Sequence, residues 1–191
     1  MNIKETFKNV LEVAIETNQN GIKSCKFVNT YDENGNIVHY KGNQIEDWYK
    51  YDENNNQIYH KELNGSKELE EWLDYDENGN LIHSKDSNNR EIWWDYVDNK
   101  ISHCKESNGN EEWLYYDENG NEIFKKMYNA ETDRTITHNF EYDENNRLIH
   151  YKNSDGLEEW HEYSNDGKSI YTETSLGFEY WFEYDDNDNL Y

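Results

Sequence analysis

Apolar and polar residues alternate along most of this chain, in short runs divided by clusters rich in Asn and Gly. Alternation of that kind marks half-buried β-strands, whose side chains point to opposite faces in turn. One stretch, Tyr75-Asp76-Glu77-Asn78-Gly79-Asn80-Leu81-Ile82-His83, recurs with small changes from Tyr31 to the end of the chain. Its anchoring tyrosines are Tyr31, Tyr51, Tyr75, Tyr96, Tyr116, Tyr142, Tyr163 and Tyr184, at intervals of 20, 24, 21, 20, 26, 21 and 21 residues. A period in that range signals a repeat architecture in which copies bury their faces against neighbours.

Each copy carries two turn signals. One is the Asp-Glu-Asn-Gly segment after the tyrosine; the other lies midway, as in Ser87-Asn88-Asn89, Ser107-Asn108-Gly109 and Ser154-Asp155-Gly156. Asn-Gly between alternating runs predicts a tight hairpin turn with two residues at positive φ. Each copy therefore reads as two strands of about six residues. Residues 22–191 read as a single β-hairpin repeat domain, a mainly β antiparallel meander of about 15 strands. The two long intervals are assigned to midway loops at residues 62–68 and 127–134. Ahead of the repeats, Ile3, Phe7, Val10, Leu11, Ala14 and Ile15 share one helical face, and Asn20-Gly21 supplies a stop. The spacing predicts an amphipathic helix over residues 2–18, with residues 1–21 capping the open end of the array.

Parity assigns the faces. Trp48, Trp72, Trp93, Trp113, Trp160 and Trp181 each stand three residues before a tyrosine, on the opposite face. If the turn holds an even number of residues, each tyrosine pairs with Val38, Ile58, Ile82, Ile123, Ile149 or Ile170. Tyr, Leu/Phe and Ile then share a core face. The other face gathers Trp, His39, His83 and His150, the lysines Lys41, Lys61, Lys85, Lys126 and Lys152, and the glutamates Glu70, Glu91, Glu111 and Glu158. Each of these lysines then falls opposite a tryptophan across the strand pair, a geometry for cation–π contact. An odd turn would set isoleucines against Asp74, Asp95 and Glu162, so the even register is preferred.

Composition changes the picture in two ways. Aromatics make up 16% of the 191 residues, which favours a β fold over the disorder that a net charge of −24 would otherwise suggest. The same charge argues against direct binding of nucleic acid and favours a basic partner. No secretion signal or membrane span is legible, so a cytoplasmic location and two free thiols, Cys25 and Cys104, are expected.

The Tyr-Asp-x-x-Gly-x-Leu unit, clearest at residues 75–95 and 142–162, resembles the YD repeat of Rhs-type proteins. That resemblance implies long β-sheets, which in the family spiral into shells around toxin domains. The family's arginine is present here only at Arg147. Trp113-Leu114-Tyr115-Tyr116-Asp117-Glu118-Asn119-Gly120-Asn121 also looks like cell-wall-binding aromatic hairpin repeats. Variant MORN-type repeats share a similar Tyr-x-x-x-Gly hairpin. All three resemblances imply a hairpin array, and each implies a different function.

Catalytic chemistry is hard to place. His39, His83, His103 and His150 recur at one repeat position, as structural residues do. His103 and Cys104 are adjacent, so on a strand they face opposite ways and cannot act as base and nucleophile. Nothing resembles a zinc-protease helix, a nucleophile elbow or a phosphate loop. The turns are rich in oxygen but lack the twelfth-position glutamate of a calcium loop, and turns select Asp and Asn for backbone reasons. No enzyme activity, cofactor or metal is therefore expected.

The acidic pattern carries the functional expectation. In a meander the Asp-Glu-Asn-Gly turns line one edge, with Asp32, Glu33, Asp52, Glu53, Asp76 and Glu77, then Asp117, Glu118, Asp143, Glu144 and Asp185/Asp186. Successive turns lie two strands apart, roughly 9.6 Å, which gives about one carboxylate per 5 Å. That spacing is comparable with a single-stranded nucleic-acid backbone. The leading expectation is a non-enzymatic inhibitor, of the anti-CRISPR or immunity-protein kind, that docks on a basic nucleic-acid-binding surface of an effector nuclease. A carbohydrate- or cell-wall-binding module using the tryptophan face, or a structural repeat, is the alternative.

Overall fold

In a computed structural model of the protein, residues 11–17, 23–185 and 190 are described, with side chains from Phe27 onward. The chain divides into two compact units, residues 1–94 and 95–191. The first contains β1 (Leu11–Thr17), β2 (Lys23–Tyr31), β3 (Ile37–Lys41), β4 (Ile45–Tyr51), β5 (Gln57–Asn64), β6 (Lys67–Tyr75), β7 (Leu81–Asp86) and most of β8 (Glu91–Val97). The second continues with β9 (Lys100–Glu106), β10 (Glu111–Tyr116), β11 (Glu122–Asn129), β12 (Arg134–Tyr142), β13 (Leu148–Asn153), β14 (Glu158–Tyr163), β15 (Ser169–Thr174) and β16 (Glu179–Trp181). In each unit the strand order is the sequence order and the ladders are antiparallel, as a chain of hairpins requires.

Part of the expected N-terminal helix, through Val10, lies outside the described residues. Among the described residues Leu11–Thr17 is a strand paired with β2, from Leu11↔Thr30 to Thr17↔Lys23. The segment LEVAIET also alternates at period two and carries the β-branched Val13, Ile15 and Thr17, so pairing with a neighbouring strand prevails. The long intervals are not loops either. Residues 62–64 and 67–68 extend β5 and β6, which stay paired out to Asn64↔Lys67, and β11 and β12 pair out to Asn129↔Arg134.

The turns follow one plan that differs from the expected one. The Asp76 amide donates to the Asn80 carbonyl (2.9 Å) and the Gly79 amide donates back to the Asp76 carbonyl (3.1 Å). Only the fourth residue takes a positive φ: Gly35 at 89°, Asn55 at 64°, Gly79 at 83°, Gly120 at 88° and Asn146 at 60°. This is a type I turn closed by one left-handed residue, the three-residue hairpin solution. The expected two-residue turn occurs at Asp98 (50°) and Asn99 (58°).

Each repeat turn is followed by a β-bulge. Tyr75 pairs with Leu81, but Asp74 pairs with His83, so Ile82 is the extra residue. The same jump follows Tyr31, Tyr51, Tyr116, Tyr142 and Tyr163. Past the bulge the ladder runs in the even register, with Trp72↔Lys85, Trp48↔Lys61 and Trp113↔Lys126. The isoleucines are therefore not the tyrosines' partners, and Ile82 and Ile123 are 36% and 39% exposed instead of buried. Among the described residues the buried set is small: Leu73, Ser84 and Asp47, each 8% exposed. Leu73 pairs with Ser84 on the tyrosine face, which confirms that face as the better covered one. With so little deep burial, cohesion rests on cross-strand side-chain pairs.

Candidate binding surfaces

The repeated tyrosine does more than fill space. Tyr51 Oη donates to the Ile37 carbonyl (3.0 Å) and Tyr75 Oη to the Gln57 carbonyl (3.0 Å). In the second unit Tyr142, Tyr163 and Tyr184 donate to the carbonyls of Glu122, Leu148 and Ser169 at 2.9–3.0 Å. Each acceptor lies beyond the last paired residue of its ladder; the β3–β4 ladder, for example, ends at His39↔Trp48. The strands splay at the bulge, and the hydroxyl bridges the gap between one copy and the next. A phenylalanine would bury as well but could not bridge, and all eight anchor positions are tyrosine. That uniformity was the available signal for a hydrogen-bonding role. The fifth turn residue adds to the contact when cationic: Arg147 lies 4.8 Å over the Tyr163 ring, and Lys168 Nζ sits 5.2 Å over Tyr184.

At the turn edge the two carboxylates of each copy play different parts. Asp76 Oδ1 accepts from the amides of Asn78 (2.9 Å) and Asn80 (2.8 Å), and its Oδ2 accepts from Asn80 Nδ2 (3.0 Å). Asp52 and Asp117 repeat this set with Asn56 and Asn121, and Asp32 does so with Asn36. Asp143 uses Arg147, through Nε at 2.7 Å and Nη2 at 2.6 Å. The Asn80 side chain holds the Asp76 carboxyl below its usual range, as Asn121 does for Asp117 and Arg147 for Asp143. These aspartates are charged, but their oxygens are engaged in shaping the turn. The following glutamates, Glu53, Glu77, Glu118 and Glu144, are exposed and have no ion-pair or hydrogen-bond partner among the described residues; Glu33 is exposed as well. Neighbouring turns abut within each unit: Asn36 Nδ2 donates to Asn55 Oδ1, and Asn121 Nδ2 to Asn146 Oδ1, both at 2.9 Å.

On the tryptophan face histidines and lysines engage the carboxylates. His39, His83, His103 and His150 stack on Trp48, Trp93, Trp113 and Trp160 at 5.1–5.5 Å between ring centroids. The same histidines reach Glu46, Glu91, Glu111 and Glu158, which also bind Lys41, Lys85, Lys105 and Lys152. A further carboxylate approaches the other ring nitrogen: Asp74 at His83, Asp95 at His103 and Glu141 at His150. Lys85 holds the Glu91 carboxyl low, Lys105 does so for Glu111, and His150 for Glu158. The expected lysine–tryptophan contact forms at Lys126 over Trp113 (4.2 Å), whereas Lys41 and Lys152 pair with Val28 and Asn139 and face no tryptophan. Lys61 and Lys85 turn instead to Glu70 and Glu91, because a carboxylate one strand away outcompetes a ring. Trp72, Trp93 and Trp160 remain 37–41% exposed, and Trp181, 72% exposed, tilts on Tyr171. Sequence parity passed over Lys105 and the acids at Asp74, Asp95 and Glu141, although the even register sets Asp74 opposite His83 and Glu141 opposite His150.

His103 and Cys104 face opposite ways, paired with Trp113 and Glu112 respectively.

No family model matches the sequence, and no curated protein matches it. Solved structures match in fold. The crystal structure of TcdB2-TccC3 without its hypervariable C-terminal region superposes with a TM-score of 0.75 at 13% identity, over 93% of this chain and 11% of that one. TcdB2-TccC3-Cdc42 and TcdB2-TccC3-TEV give TM-scores of 0.70 and 0.69 at 13% identity, each over 94% of this chain and 12% of the other. The chain thus spans about an eighth of the length of those chains, and the likeness to YD-repeat proteins is one of fold.

Proposed function

We propose that this chain is a non-enzymatic binding protein whose turn glutamates dock on a basic, nucleic-acid-binding surface of another protein, in the manner of a nuclease inhibitor. The observation that carries this reading is how charge is distributed. On the tryptophan face the glutamates are matched by lysine and histidine. At the turns, Glu53, Glu77, Glu118 and Glu144 have no such match among the described residues, in a chain of net charge −24. Carboxylates left in water at regular intervals keep their hydration until a cationic partner replaces it, and they steer such a partner over several ångströms.

The four glutamates support nothing in the fold, so they can be reversed without touching the turn aspartates. Immobilised wild-type protein and the E53K/E77K/E118K/E144K variant are compared for capture of nucleic-acid-binding proteins at low and high salt. The reading expects capture by wild type only, weakened by salt. Equal capture by both would sink it. The exposed tryptophans favour one second reading, a carbohydrate-binding face, in which Trp72, Trp93 and Trp160 stack on sugar rings. A glycan array separates the two: binding abolished by Trp93→Ala but not by the glutamate reversal would select the tryptophan face.

A further inference from the structure

One cluster of ligating side chains is absorbed neither by the turns nor by the tryptophan face. Asp47 on β4 and His60 and Glu62 on β5 meet on the tyrosine face of the first unit, with one ligand atom from each within 4.8 Å of the others. Asp47 is 8% exposed and approaches His60 Nε2 at 3.3 Å. Tyr49 stacks on the His60 ring, 4.8 Å between centroids and 4° between planes, which fixes the imidazole's direction.

The arrangement is costly as it stands. Asp47 and Glu62 are direct cross-strand partners, so two like charges face each other, one of them buried. Among the described residues, neither forms an ion pair with lysine or arginine. From the flanking strands, Tyr40 pairs with Asp47, while Leu69 and Glu71 pair with Glu62 and His60, so the neighbours add a third carboxylate and no cation. The equivalent place in the second unit is solved differently. There Glu112 stands where Asp47 does, Met127 replaces Glu62, and Lys125 replaces His60 and forms an ion pair with Glu112. The first unit has exchanged a salt bridge for one imidazole and two carboxylates.

We propose that Asp47, His60 and Glu62 bind a divalent transition-metal ion such as Zn²⁺. Imidazole and carboxylate are both zinc ligands, at about 2.0–2.2 Å; Cu²⁺ binds nitrogen and oxygen ligands more tightly still, so geometry and metal availability, not raw affinity, favour Zn²⁺. Two ligand atoms already lie 3.3 Å apart, and small rotations bring in the third. Water completes the shell.

The test is Zn²⁺ titration by calorimetry of the full chain at physiological salt, with excess Mg²⁺ to occupy the exposed carboxylates, followed by histidine-detected NMR. The expected result is one tight site, a shift of the His60 resonances, and affinity lowered about tenfold or more in His60→Gln and in Glu62→Gln. His150→Gln should leave that site intact. His60→Lys, which copies the Lys125 solution, keeps the fold and loses the site. Tight binding that survives His60→Lys, or that is lost equally in His150→Gln, would overturn the assignment, as would the absence of a tight site.

Discussion

The tyrosine bridge gives the sharpest structural prediction. Tyr75→Phe removes one hydroxyl, leaves the ring in place, and breaks a single 3.0 Å bond to the Gln57 carbonyl. A neutral hydrogen bond is worth about 0.5–1.5 kcal/mol net, and a carbonyl left without a partner adds to the loss in proportion to how well water is excluded. Tyr75 is half-buried, so water partly replaces the hydroxyl and the expected cost is about 1 kcal/mol. With an m-value of about 2 kcal/mol/M, the urea midpoint should fall by roughly 0.5 M at unchanged m. Tyr51→Phe breaks the equivalent bond in the neighbouring hairpin, and the double variant should lose about 2 kcal/mol because the two hydroxyls share no partner. Tyr115→Phe is the control: its ring is 56% exposed and meets only the edge of Phe124, so its effect should stay within about 0.5 kcal/mol. If Tyr75→Phe and Tyr115→Phe unfold alike, the bridge is not what the repeated tyrosine is for.

Other consequences follow from the turns. Gly79→Ala should destabilise by about 1 kcal/mol, since φ is +83° while the nearest atom to an added Cβ is 3.9 Å away; Gly79→Asn should cost less, as Asn55 holds the same place in the preceding copy. Thermal melts of both variants check the order. Asp76, Asp117 and Asp143 titrate below their usual range in the folded state, so their contribution is present above the unfolded carboxylate range and is lost as pH falls below about 4. Asp76→Asn should therefore be less stable than wild type at neutral pH and converge on it in acid, as measured by urea midpoints across pH. The Tyr51, Tyr75 and Tyr142 phenols are pushed up by burial, so stability should also fall above about pH 10, and Tyr75→Phe should soften that fall.

Much of this fold is written in a two-residue and a twenty-residue period, and both survive in the structure. The even register was legible because apolar residues avoid carboxylates, and Trp72↔Lys85 follows from it. The bulge at Ile82 was not legible: Leu81 and Ile82 are both apolar, so either could be the tyrosine's partner, and only the closed three-residue turn shows that one residue must be displaced. The division of labour between Asp76 and Glu77 was hidden for the same reason, since both are simply acidic until the turn amides point at one of them. The strand at Leu11–Thr17 carries both periodicities, and an available partner decides between them. Asp47, His60 and Glu62 lie 13 and 2 residues apart along the chain, a spacing that matches no ligand motif and becomes a cluster only through the β4–β5 register.

The most direct measurement of the functional proposal is a competition. A captured basic enzyme is loaded with labelled single-stranded nucleic acid, and displacement is followed by fluorescence anisotropy as this protein is added. The proposal expects wild type to displace the nucleic acid at low salt, with potency falling as salt rises, and the E53K/E77K/E118K/E144K variant to lose that potency while keeping its fold. Displacement by the reversed variant at wild-type concentrations, or simultaneous binding of protein and nucleic acid, would contradict it.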